Sequence, residues 1–365
     1  MKIAIDHQKF IEQKYGGITR YFACLALEIS KLNQDIKIFA PLHINKYLFH
    51  LPKNIVYGTN IGLYNQPFIK MLGPVNNFLS QFQVEKYDPD IIHESYYSEH
   101  PIIKSICPRV ITVHDMIHEK FPNEFSNDNT ISLKKKSIER ADHIITISNN
   151  TKNDLMKFYN ISSSKITTIY HGATSNLSTK GLKPKKNQNY TKPYLLYVGN
   201  RSGYKNFNLL IKAFGLSNQI KKKVNLIAFG GKPFDHDELE SFNSAGLKKS
   251  QVIHITGDDN TLKNLYQNAE AFIFPSLYEG FGMPPLEAMS NNCPVISSNT
   301  SSMPEVIGDA GEYFNPKSVE GLINAIKNVL FSNRSKELVS LGQKRVEMFS
   351  WKKCAKETMS VYERL

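Results

Sequence analysis

AFIFPSLYEGFGMPPLEAMS, residues 271–290, runs from an apolar stretch through an acidic, glycine-bearing loop into a proline-led helix start. AFIFPS (271–276) has the length and composition of a strand buried on both faces. PPLEAMSNN (284–292) starts a helix, because prolines are tolerated in a helix's first turn. EGFG (279–282) is then the connection from a strand's carboxyl end to a helix's amino end. Such a connection concentrates unpaired backbone N–H groups and the positive end of the helix dipole, where anions bind. Gly280 and Gly282 allow the backbone to come close to a ligand. Glu279 lies in the loop and Glu287 on the helix, so both carboxylates can face one crevice from different heights.

The same alternation extends in both directions. KIAI (2–5), DIKIFA (35–40), DIIHE (90–94), RVITVH (109–114), HIITIS (143–148) and KITTIY (165–170) read as short strands, with helical patterns such as 16–32 and 132–141 between them. A lysine-rich stretch interrupts the pattern, which restarts with YLLYVG (194–199), VNLIAFG (224–230), QVIHITG (251–257), AFIFPS and PVISS (294–298). Strands alternating with helices imply parallel sheets wrapped on both faces. The reading is α/β, with two doubly wound Rossmann-like domains and a cleft between the carboxyl ends of their strands. The expected boundaries are 1–172, a basic linker at 173–192, a second domain at 193–348, and an amphipathic helix at 349–365.

At 365 residues, two domains suit the length. No apolar run approaches the roughly 20 residues needed to cross a bilayer. The start, MKIAIDHQKF, reads as a strand followed by polar residues without an apolar h-region, so a cytoplasmic location is expected. Cys24, Cys107, Cys293 and Cys354 are far apart with no CxxC pair, which fits reduced thiols and excludes a zinc knuckle. The net charge is +12, but residues 173–192 carry five lysines and no acid. That stretch reads as a solvated linker without a nucleic-acid motif, so no nucleic-acid partner is expected. Weak attraction to anionic headgroups or substrates is open.

Taken together, the motifs resemble those of retaining GT-B glycosyltransferases, the Glu-x7-Glu group that includes bacterial mannosyltransferases. EGFGMPPLE (279–287) resembles the group's acidic motif and YGGITRYF (15–22) its glycine loop. VHDMIHEKFP (113–122) resembles its His-bearing strand end, and YVGNRSGYKNFNLLIKAF (197–214) its phosphate-binding turn. The closing FSW and helix resemble the segment that crosses back onto the amino-terminal domain. The resemblance spans nearly the whole chain.

The chemistry expected of such an enzyme gives each residue a task. Transfer from a nucleotide sugar passes through an oxocarbenium-like state while a diphosphate leaves, so much of the task is stabilising negative charge. Arg201 offers a planar fork and Lys205 a point charge at a strand's carboxyl end. Gly16 and Gly17, just before a helix, can present N–H groups to the same phosphates. The resemblance places His114 beside the donor sugar, with Asp115 orienting its loop. It places Glu279 on the sugar's hydroxyls, Glu287 on the ribose, and Gly280, Phe281, Gly282 and Met283 along the donor. No metal or other cofactor is expected, since Arg201 and Lys205 would neutralise the diphosphate. The Asp-x-Asp pairs DPD (88–90) and DHD (235–237) read as a strand entry and a helix cap.

Rival readings explain less. A glycoside hydrolase using Glu279 and Glu287 leaves the turn around Arg201 without a task. A dinucleotide oxidoreductase needs G-x-G-x-x-G at the first strand–helix turn, where the chain reads DHQKFIEQKYGGI (6–18). A non-catalytic nucleotide-sugar-binding protein and a GT-B epimerase are further alternatives. The resemblance implies GDP-mannose as donor, although members using other nucleotide sugars share these motifs. It implies as acceptor a growing glycan on a polyprenyl-diphosphate carrier at the inner membrane's cytoplasmic face, as in O-antigen or capsule assembly. Peripheral membrane contact follows from that. Acceptor residues are expected in variable loops within 43–85.

Overall fold

The computed structural model describes residues 1–62, 66–173, 192–201 and 203–365, the side chains of residues 66–71 excepted. Most of the basic segment 173–192 therefore lies outside the described residues, as does Ser202 of RSGYKNF (201–207). The described residues form two compact units, one of residues 1–173 with 350–365 and one of residues 192–349.

Unit 1 contains β1 (Lys2–Ile5), β2 (Asp35–His43), β3 (Val56–Asn60), β4 (Ile91–Glu94), β5 (Arg109–Val113), β6 (His143–Thr146) and β7 (Ile166–Thr168). They pair in parallel in the order β3-β2-β1-β4-β5-β6-β7. Unit 2 contains β8 (Tyr194–Val198), β9 (Asn225–Phe229), β10 (Val252–Ile255), β11 (Ala271–Phe274), β12 (Val295–Ser298) and β13 (Gly311–Phe314). Their order, again parallel throughout, is β10-β9-β8-β11-β12-β13. Helices cover both faces of the central strands, so every residue of β4, β5, β11 and β12 is buried, including the polar His93, Glu94, Arg109, Ser297 and Ser298.

Two strands are absent from the sequence reading. β3 (VYGTN) is a mostly exposed edge strand, so it lacks the alternation of a half-buried one. β13 (GEYF) begins with glycine and is also an edge. The helix Gln66–Tyr87 fills part of the stretch read as acceptor loops. The DHD cap reading agrees with the geometry: Asp235 accepts from the Glu238 N–H and the Glu238 side chain accepts from the Asp235 N–H. All four cysteines are free, with Cys24, Cys293 and Cys354 buried and Cys107 half-buried.

The helix Trp351–Tyr362 belongs to unit 1. It buries Trp351, Cys354, Ala355, Met359 and Tyr362 along one stripe. That stripe joins the core containing Tyr21, Phe22, Leu25 and Ile29 of the helix Gly17–Ser30. The Trp351 indole lies so close to the chain at Gly172 that a β-carbon there would stand 2.4 Å from Trp351 Cδ1. Gly172→Ala is therefore expected to cost about 1–3 kcal/mol as an overpacking change. Calorimetric melting would show a lowered transition, and Trp351→Leu would not restore it, because the added β-carbon also meets the Trp351 backbone nitrogen. Wild-type melting of the single variant would contradict this docking.

Candidate active site

In unit 2, β8 and β11 lie side by side while their following connections run to opposite sides, toward β9 and β12. A crevice opens outside such a switch point, at the strands' carboxyl ends. The turn after β8 carries Arg201 and Lys205 and leads into the helix Phe207–Leu216. The loop after β11 carries Glu279. Asn206, held at a left-handed φ of 58°, ties the two connections together by donating through Nδ2 to the Pro275 carbonyl at 3.0 Å. The Leu277 N–H donates to the Tyr204 carbonyl at 2.7 Å.

These ties bring Lys205 Nζ within 2.7 Å of Glu279 Oε1, to which Ser276 Oγ also donates at 2.6 Å. Glu279 is buried, so removing either charge leaves the other poorly solvated. Serines fix the Glu279 backbone. Ser301 Oγ accepts from the Glu279 N–H and donates to its carbonyl, each at 2.9 Å. Ser302 Oγ lies 2.9 Å from the Glu279 carbonyl and 2.8 Å from that of Phe281, donating to one at a time. Ser301 holds a left-handed φ of 50°, a strained conformation for a residue with a β-carbon.

The remaining expected residues fall as follows. Gly282 has φ 112°, which requires glycine, and precedes the helix Met283–Ser290. Pro284 and Pro285 remove two N–H donors from that helix's first turn, leaving fewer anion-facing groups than a helix start ordinarily offers. The Phe281 ring is buried edge-on against Phe349, at 5.7 Å, so what Phe281 can offer a ligand is backbone. Glu287 is half-buried on the helix.

Arg201 is engaged within unit 2. Its guanidinium donates to Glu238 through Nε (2.6 Å) and one terminal nitrogen (3.1 Å), and to the carbonyls of Gly230 (3.1 Å) and Lys232 (2.6 Å). It also lies 4.8 Å over the Phe234 ring. The guanidinium fork holds the turn after β8 against the Gly230–Glu238 segment. The reason is Glu238, whose place in the helix cap presents a carboxylate to it.

Unit 1 holds the other expected residues. Gly16 caps the helix Gly17–Ser30, and its carbonyl accepts from Thr19 Oγ1 at 3.0 Å. At Gly17 an added β-carbon would meet nothing within 4 Å among the described residues. His114, directly after β5, is buried, and burial pulls its pKa down to about 4. The imidazole is thus neutral near pH 7, and its Nε2 has no hydrogen-bond partner among the described residues. Tyr21 packs edge-on to His114 at 5.3 Å and stacks on His171 at 4.7 Å. Thr112 Oγ1 lies 3.2 Å from Tyr21 Oη and 2.8 Å from His93 Nε2, while His93 Nδ1 is 2.6 Å from Tyr362 Oη. Asp115 Oδ1 accepts from the Ile117 N–H at 3.0 Å. The buried Lys134 donates to the Asp115 carbonyl at 2.9 Å and to Glu119 at 2.8 Å.

Sequence reasoning missed Ser276, Asn206, Ser301 and Ser302, which hold the acidic loop. Their one sequence signal is position: Asn206 follows Lys205, and the serines flank two strand ends in FPS (274–276) and NTSSMPE (299–305).

Two family models match the chain, Glycosyltransferase Family 4 over residues 15–176 and Glycosyl transferases group 1 over residues 179–345. The chain belongs to the group 1 glycosyltransferases. This glycosyltransferase is 28% identical to the O-antigen chain mannosyltransferase B of Escherichia coli, over 97% of this chain and 98% of that protein. It is 32% identical to the O-antigen chain mannosyltransferase RfbU of Salmonella typhimurium, over 63% of each chain. Among solved structures it resembles sucrose-phosphate synthase from Thermosynechococcus elongatus, with TM-score 0.74 and 18% identity over 100% of this chain and 98% of that one. It also resembles Anabaena HepE in complex with UDP and glucose, with TM-score 0.73 and 18% identity over the whole of both chains. The fold is GT-B. No helix among the described residues is long and apolar enough to cross a membrane.

The buried histidines of unit 1 give the glycosyltransferase a pH signature. Burial lowers the pKa of His7 and His114 to about 4 and of His93 to about 3. Unfolded, each would protonate near 6.5, so below that pH the unfolded chain binds more protons than the folded one and stability falls. Burial raises Asp6 and Glu94, which opposes the trend at lower pH. Stability is thus expected to decline from pH 6.5 toward 4, by at most about 1.4 kcal/mol per histidine per pH unit. Trp351, the one tryptophan of the chain, lies in unit 1, so its fluorescence reports that unit's melting. A midpoint unchanged between pH 7 and 5 would contradict the assignment.

Proposed function

We propose that this glycosyltransferase moves mannose from GDP-mannose to a growing, lipid-linked surface glycan, with retention of anomeric configuration. The reading is carried by the Lys205–Glu279 pair, sited at the unit 2 switch point. Similarity to two O-antigen mannosyltransferases supports the sugar and the glycan class. A polyprenyl-diphosphate carrier at the cytoplasmic face of the inner membrane would present the acceptor.

In this reading the diphosphate lies outside the carboxyl ends of β8 and β11. Lys205, oriented by Glu279, offers its ammonium to the departing oxygens, where charge develops. Glu279 accepts from the sugar's hydroxyls and favours the positive charge growing on its ring. Glu287 holds the ribose. Arg201 acts through the turn that it braces. The bond from anomeric carbon to diphosphate oxygen breaks, and the acceptor oxygen bonds to that carbon on the same face. The acceptor's proton passes to the leaving oxygen. Neither a general base opposite the leaving group nor a metal takes part.

Purified protein with GDP-mannose and a lipid-linked acceptor tests this directly. Lys205→Ala is expected to lower kcat about 100- to 1,000-fold, the scale of one lost charge-assisted contact to developing charge. Glu279→Ala should abolish transfer and also change GDP affinity, because the carboxylate orients Lys205. Activity should persist in EDTA, and dependence on added Mn²⁺ or Mg²⁺ would overturn the metal-free mechanism. NMR of the product should show an α-linkage from the α-linked donor; a β-linkage would overturn retention.

A further inference from the structure

Unit 1 carries a buried charge beside His114 that the reaction proposed above leaves without a task. Lys134, on the helix Thr130–Arg140, is fully buried. Its Nζ donates to the Asp115 carbonyl at 2.9 Å and to Glu119 Oε2 at 2.8 Å, and lies 5.3 Å from the centre of the Tyr97 ring. Glu119 sits on the one-turn helix Ile117–Lys120, its side chain 4% exposed. Its other oxygen accepts at 2.6 Å from the hydroxyl of Tyr159, the last residue of the helix Asn149–Tyr159. Three helices thus meet at one ion pair. The Asp115 side chain accepts from the Ile117 N–H, and the Tyr97 hydroxyl hydrogen-bonds the His114 main chain. The backbone that carries His114 is therefore held from several directions.

We propose that Lys134 is a positioning residue for glycosyl transfer: by holding the Asp115 carbonyl, it fixes the direction in which His114 presents Nε2 to a sugar hydroxyl at the carboxyl end of β5. The proposal rests on the glycosyl-transfer reading above. His114 is 7% exposed, and its Nε2 has no hydrogen-bond partner among the described residues. A buried polar atom left unpaired is unfavourable, and a ligand hydroxyl would satisfy it. Carboxyl ends of parallel strands are where such ligands lie. Stability alone does not call for the ion pair, because desolvation offsets most of its attraction and an apolar side chain of similar size could fill the space. What the ammonium adds is direction, through a bond to one main-chain oxygen of the residue next to His114. A group that meets its substrate through a single hydrogen bond needs that precision, on the order of 0.5 Å.

The test removes both ions at once, Lys134→Met with Glu119→Gln, so that no buried charge is left alone and the fold is kept. This charge-free pair is compared with wild type, with His114→Ala and with all three substitutions together, by kcat for transfer from GDP-mannose to a lipid-linked acceptor. The charge-free pair and His114→Ala are each expected to lower kcat about 10- to 100-fold, the scale of a misplaced contact. The combination should be no slower than His114→Ala alone, because Lys134 acts through that side chain. Losses that multiply, or a charge-free pair that turns over as wild type, would overturn the proposal. Amide exchange followed by mass spectrometry gives a readout that needs no donor. Faster exchange confined to residues 114–121 is expected in the charge-free pair. Unchanged exchange there, or acceleration spread through all of unit 1, would overturn the positioning role. Wild-type protein inactive with GDP-mannose, with the local change in exchange present, would overturn the proposed donor and leave the positioning role standing.

Discussion

Parallel pairing places a constraint on everything that follows β8 and β11. A parallel strand must be left through a crossover, and neighbours whose crossovers diverge leave a gap that no helix fills. In unit 2 the gap falls where Lys205 and Glu279 emerge, so backbone topology rather than local sequence places these charges together. The pair is costly to keep out of water, and the structure compensates with Ser276 on the carboxylate and Ser301 and Ser302 on the loop's main chain. Asn206 then fixes the distance between the two connections. The acidic loop is thus held mainly by short polar side chains. Their hydrogen bonds define direction more sharply than apolar packing does, which suits a site that must hold a carboxylate in one place.

Unit 1 solves a different problem. Its histidines sit among aromatic rings, and burial keeps the imidazole of His114 neutral near neutral pH. The links from Tyr362 through His93 and Thr112 to Tyr21 make the last helix part of that environment. A change on residues 351–362 therefore reaches the ring that packs against His114 without touching it.

The strand–helix alternation was legible because the central strands carry short apolar or β-branched runs, such as Ile91–Ile92 in β4 and all four residues of β11. β3 and β13 escaped because edge strands have weaker patterns, and β3 faces water along most of its length. Glu279 and Lys205 stood out because charge and glycine follow strand ends there. The pairing of Arg201 with Glu238 was not legible, since Glu238 lies 37 positions on and is turned toward it by a helix cap. The serine and asparagine braces were not legible, since nothing about an isolated Ser301 or Asn206 reveals which distant carbonyl it meets. Resemblance to a family supplied roles for His114 and Glu287 that spacing alone could not.

Unit 1 is discontinuous in the chain, since residues 350–365 complete a core begun at Ile3. On the ribosome those residues emerge only after all of unit 2 has been made. Amino-terminal domains ordinarily fold first during synthesis, but this one must wait, with the face of the helix Gly17–Ser30 that receives Trp351 and Met359 still uncovered. Unit 2, contiguous in sequence, has no such delay. A chain truncated before residue 350 would thus leave unit 1 with an open, aggregation-prone apolar face.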